Sequence, residues 1–106
     1  MSETFTIKRG DTSPGIKYQL TLASDQTLVG AGALFKMKGI NDDTAKVNAS
    51  ATVDDVNNIL TYDWDLVDTD TADIFEAEFE VTYADTKKET FPNDGYLQIE
   101  VVADLD

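Results

Sequence analysis

Cysteine and histidine are both absent from this sequence, and each absence removes a class of chemistry. Without cysteine there is no disulfide framework, no thiolate metal site and no thiol nucleophile, and nothing marks the redox compartment. Without histidine the chain lacks the side chain most often used as a general base near neutral pH, and with it the commonest metal ligand. An enzyme built from what remains must work with carboxylates, lysines and hydroxyls. Basic residues are scarce as well, 8 Lys and Arg against 21 Asp and Glu, for a net charge of -13. Such a field repels phosphate backbones and anionic lipid, so nucleic acid and membrane are not expected as partners. No apolar run reaches the roughly 18 residues that would span a bilayer. The opening residues MSETFTIKRG have neither the basic start nor the apolar stretch of a signal peptide, which points to a soluble chain made in the cytoplasm.

What is present is alternation. The clearest instance is Ile74 to Tyr83, where Phe75, Ala77, Phe79, Val81 and Tyr83 alternate with Glu76, Glu78, Glu80 and Thr82. That is the period of a strand with one buried face. Similar patterns predict strands over Thr4–Lys8, Lys17–Ala23, Ala33–Lys38, Lys46–Val53, Ile59–Trp64, Lys87–Phe91 and Tyr96–Val102. Turn formers separate them at Asp11-Thr12-Ser13-Pro14-Gly15, Asp54 to Asn58, Ala84-Asp85-Thr86 and Pro92-Asn93-Asp94-Gly95. No helical period competes, and Asp65 to Asp73 reads as a polar connection with room for one short helical turn. The 106 residues form one domain with a modest core. Short strands at this spacing predict an all-β fold, an immunoglobulin-like antiparallel β-sandwich of seven to eight strands. Trp64 is expected in its core beside Phe75 and Phe79, and Met37 as a core filler.

Two clusters have chemical potential. Asp63, Asp65, Asp68, Asp70 and Asp73 supply hard oxygen ligands near a strand end, making Asp65, Asp68 and Asp70 the candidates for calcium. Their spacing matches no EF-hand loop, and Asp and Thr in such a stretch otherwise cap turns. Glu76, Glu78 and Glu80 form a charged stripe on the outer face of the central strand, either solvated or docking Lys and Arg of a partner subunit. Acidic pairs alone carry no glycosidase argument, because carboxylates are too numerous here for proximity to discriminate. Walker loops, dinucleotide fingerprints, G-x-S-x-G elbows and zinc signatures are all missing. Catalytic residues and cofactors are therefore not expected. Arg9-Gly10-Asp11 is read as a turn at a strand end, not as an adhesion motif.

The stretches FTIKRGDTSPGIKYQL, GAGALFKMK, YDWDLVDTDTADIFEAEFEVTYAD and TFPNDGY resemble the small Ig-like domain of tailed bacteriophages and prophages, including the N-terminal part of baseplate upper proteins. The resemblance runs from about Phe5 to Val102. It is most specific at Arg9-Gly10-Asp11-Thr12 with Pro14, at Ala77-Glu78-Phe79-Glu80-Val81, and at Phe91-Pro92-Asn93 with Gly95-Tyr96. It implies a non-enzymatic virion structural protein of the tail or baseplate, whose partners are other tail proteins or further copies of itself, with no small-molecule ligand. Longer relatives carry oligomerisation or receptor-binding parts after this domain. A sequence ending at Asp106 lacks them, which points to an accessory or connector role. The family often has glycine at the place of Asp73 and after Asp85, where this chain has Thr86. The alternative expectation is a ligand-binding sandwich, either carbohydrate-binding or a calcium-dependent adhesive module.

Overall fold

A computed structural model describes residues 3–105. The order is β1 (Thr4–Lys8), β2 (Ile16–Gln19), β3 (Gly32–Gly39), β4 (Val47–Asp54), β5 (Ile59–Tyr62), a 3-10 turn (Leu66–Thr69), β6 (Asp73–Thr82), β7 (Lys88–Phe91) and β8 (Leu97–Val102). The fold is all-β. Its eight strands join in one sheet of order β1-β8-β6-β3-β4-β5-β2, with β7 added on β6, and the sheet is nearly barrel-shaped. No helix among the described residues is long and apolar enough to cross a membrane.

The sheet departs from the expected sandwich in two respects. It is mixed, because β1 runs parallel to β8, Thr4 opposite Gln98 through Lys8 opposite Val102. Alternation says which face a residue takes but carries no strand direction, and no hairpin ties the first strand to the last. The sheet is also continuous. β4 pairs with β3 through Val47 to Ala51 and then with β5 through Thr52 to Asp54, so one strand passes from one side of the core to the other. The end strands β1 and β2 both line a small cavity of about 100 Å³ that includes Phe5, Ile16, Tyr18 and Leu97. Side chains of both strands line that seam, where ladder bonds would have closed the barrel.

β6 is the centre of the sheet. β3 accompanies it over all but its first two residues, from Gly39 opposite Phe75 to Gly32 opposite Thr82. Its other edge pairs with β8 from Asp73 to Ala77 and with β7 from Phe79 to Thr82. The apolar alternates all turn inward, and Phe79 and Val81 are fully buried. Phe35 is the hub of the aromatic core. Its ring stacks on Tyr62 at 4.6 Å, lies 5.0 Å from Phe79 and meets Trp64 edge-on at 5.6 Å. Trp64 is accordingly a core residue, 4% exposed, whose indole N–H has no acceptor among the described residues.

Strand limits follow the supply of partners. β2 ends at Gln19, sooner than its alternation predicts, because Gln19 faces Ile59, the first residue of β5. Beyond it the Leu20 amide and the Gln19 side chain donate to the turn carbonyls of Asn58 and Asn57. β5 stops at Tyr62 for the same reason, opposite Ile16, where Gly15 passes so close that a Cβ would lie 2.7 Å from the Tyr62 carbonyl oxygen. The peptide bonds before Pro14 and Pro92 are cis.

Candidate functional site

The acidic connection after β5 is built inward. Asp68 is buried and accepts two hydrogen bonds on one oxygen, 2.6 Å from the Tyr62 hydroxyl and 2.8 Å from the Asp65 amide. Its own amide donates to the Asp65 carbonyl at 3.0 Å, closing the 3-10 turn. Burial, and then the Asp68 carboxylate, push the Tyr62 phenol well above its ordinary value. Thr69, fully buried, donates through Oγ1 to the Asp11 carbonyl and accepts the Gly10 amide on its own carbonyl, both at 2.8 Å. The turn thus clamps the β1–β2 loop. Asp70 points outward to Lys46 Nζ at 2.9 Å, and that lysine holds its carboxyl below the usual carboxylate range.

The calcium candidates are therefore divided. Asp68 faces the core, Asp70 an ammonium, and Asp65 is exposed. Among the described residues no group of three or more acidic side chains is placed to hold a metal ion. Arg9-Gly10-Asp11 is equally structural. Lys8 to Asp11 forms a turn with Gly10 at φ 84, and the Arg9 guanidinium pairs with Asp104 at 2.8 Å.

The glutamate stripe is placed on the outer face of β6, as alternation requires, but the three carboxylates are not equivalent. Glu80 is tied to Lys36 Nζ at 3.3 Å. Glu78 stands opposite Lys36, and Glu76 between Lys38 on β3 and Gln98 on β8. Neither Glu76 nor Glu78 takes part in an ion pair among the described residues. They line an open groove of about 350 Å³ together with Lys36, Lys38, Asp43 and Tyr96.

Tyr96 joins this surface without having been expected on it. It precedes β8 where β6 changes partner from β8 to β7, and the register that sets Leu97 opposite Ala77 brings it beside Glu78. It is 47% exposed, unlike Tyr62 and Tyr83. The hydroxyls of those two are absorbed internally, Tyr62 donating to Asp68 at 2.6 Å and Tyr83 to Glu89 at 2.7 Å. The sequence signal was available: Tyr96 falls on the polar side of the Leu97, Ile99, Val101 alternation. Comparison with protein-family models, curated proteins and solved structures finds no match for the chain.

Proposed function

We propose that the chain is a non-enzymatic structural protein of a tailed-bacteriophage or prophage virion, a tail or baseplate component that works through protein–protein assembly. The observation that carries this reading is how the polar side chains are spent. The acidic loop, the Arg-Gly-Asp turn and the buried tyrosines are consumed in holding the fold. The carboxylates left unpaired on the β3-β6-β8 face lie on an open strand surface, which suits docking of a partner. The pieces that carry the resemblance to phage Ig-like domains fall at the turn at Gly10, in the middle of β6, and in the β7–β8 connection.

The strand order supports the Ig-like assignment that goes with this reading. β3, β6 and β8 lie side by side as the C, F and G strands of such a domain do, and β2 pairs with β5 as B pairs with E. β4 then plays the part of the strand that follows C and bends across toward E.

The test is mass spectrometry of purified particles together with pull-down of the tagged chain from induced or infected cells. Recovery with tail or baseplate proteins is the expected result. Absence from particles, with no virion protein retained, sinks the reading. The exposed ring of Tyr96 in a groove favours a second reading, a carbohydrate-binding module, which glycan-array binding abolished by Tyr96→Ala would support.

A further inference from the structure

Three rows of side chains cross the outer face of the β3-β6-β8 layer. The middle row is Lys38, Glu76 and Gln98, fixed by the pairing of Lys38 with Glu76 and of Glu76 with Gln98. On one side of it Lys36 faces Glu78, and continuation of the β6–β8 register adds Tyr96. On the other, Ile74 faces Glu100, and continuation of the β3–β6 register adds Ile40. Ile40, Ile74 and Tyr96 are all among the exposed large apolar residues, so the face alternates apolar surface with charge.

The lysines and glutamates of this face are only partly paired with one another. Lys36 lines the groove, but its ammonium is paired diagonally with Glu80 and not with Glu78 opposite it. What remains around the opening is Lys38 against Glu76, Glu78 and Asp43, with the Tyr96 ring at one wall. An aromatic face next to two carboxylates is the arrangement that receives a cationic side chain: the carboxylates meet the charge and the ring packs on the flat guanidinium or the alkyl stem. A second copy of this chain is a poor occupant, since two proteins each of net charge -13 repel.

Resting on the assembly reading above, we propose that the groove between Tyr96 and the Glu76–Glu78 pair receives an arginine side chain from an extended basic segment of a partner protein. Arginine is preferred to lysine because its planar fork can bond a carboxylate through two N–H groups while stacking on the phenol ring. Ile40 and Ile74, further along the same face, provide apolar contact for the neighbouring residues of such a segment.

The test is a titration of the purified, isotope-labelled chain with a tri-arginine peptide at about 0.15 M salt, where long-range attraction is screened. Expected are amide shift changes confined to Lys36 to Lys38, Glu76 to Glu78 and Tyr96. Tyr96→Ala and Glu78→Gln should each weaken binding about fivefold or more. Asp55→Asn, which removes one negative charge in the distant β4–β5 turn, should not. Tyr96 is exposed and Glu78 half-buried on the outer face of β6, outside the core, so both variants should fold, as their spectra would show. Shifts spread over the whole acidic surface, equal weakening by Asp55→Asn, or binding of a neutral oligosaccharide in the groove with no response to the peptide would each overturn the proposal. The titration uses no other virion protein. Failure here in a chain that is found in particles overturns the groove alone, whereas absence from particles overturns the assembly reading.

Discussion

The hydroxyl of Tyr62 donates a 2.6 Å hydrogen bond to the buried carboxylate of Asp68, joining the end of β5 to the 3-10 turn that follows it. The bond gives an acidic residue a place in the interior, and through Thr69 the same turn holds the β1–β2 loop. A carboxylate in the candidate calcium loop therefore serves as a strut.

Alkaline pH should expose this arrangement. Tyr62 and Tyr83 are held protonated above the ordinary value of 10.0 by burial first, and then by hydrogen bonds to Asp68 and Glu89. A pKa raised on folding leaves the stabilisation complete below the unfolded value and removes it as pH climbs toward the folded one. Stability should hold level through neutral pH and fall above about pH 10, by up to about 1.4 kcal/mol per pH unit for each such tyrosine. Denaturant melts across this range read the slope. Tyr62→Phe leaves Asp68 with only the Asp65 amide, and should cost about 1 to 3 kcal/mol while flattening the alkaline limb. An unchanged limb would remove Tyr62 as its source.

Thr86 sits at φ 75 in the β6–β7 hairpin. The Tyr83 amide donates to the Lys87 carbonyl, the Thr86 amide to the Tyr83 carbonyl and the Lys87 amide to Asp85 Oδ1 at 3.0 Å, so Ala84 to Thr86 form a three-residue loop inside the Tyr83–Lys87 pair, and its last position calls for a left-handed residue. A β-branched side chain is poorly suited there. Thr86→Gly should stabilise by up to about 1 kcal/mol, because relief of backbone strain exceeds the added freedom of the unfolded chain. A lower melting temperature would contradict this.

The two faces of β6 should respond differently to substitution. Phe79 is fully buried between Phe35 and Tyr18, and Phe79→Ala should cost about 3 to 5 kcal/mol. Glu78→Lys puts a second ammonium opposite Lys36, a like-charge cross-strand pair, yet lowers the net negative charge of the chain. Its effect on stability should stay within about 1 kcal/mol. Thermal melts of the two variants settle the contrast, and comparable losses would mean that the outer face carries the fold as well.

Calcium should leave the melting temperature unchanged. An ion that binds only the folded chain raises stability with its concentration. Asp65, Asp68 and Asp70 are directed to three different surroundings, so no such rise is expected across millimolar calcium. A concentration-dependent increase lost in Asp70→Asn would restore the site.

Alternation in the sequence already determined where the strands lie and which face each residue takes, though not where β2 and β5 end. Phe75, Ala77, Phe79, Val81 and Tyr83 turn inward and Glu76, Glu78 and Glu80 outward, because a pleated strand sends successive side chains to opposite sides and only one side can be dry. The turns at Asp54 to Asn58 and Ala84 to Thr86 were legible for the same local reason, as their backbone is held by side chains a few residues away. Direction and closure depend on contacts distant in sequence, and local pattern is silent on those. Only the tertiary structure decided that β1 runs parallel to β8, that β4 passes from β3 to β5, and that the barrel stays open at Phe5 and Tyr18. It also sorted the carboxylates. Asp68 went to a tyrosine, Asp70 and Glu80 to lysines, and Glu76 and Glu78 were left beside Tyr96, since each pairing depends on which strand lies next door.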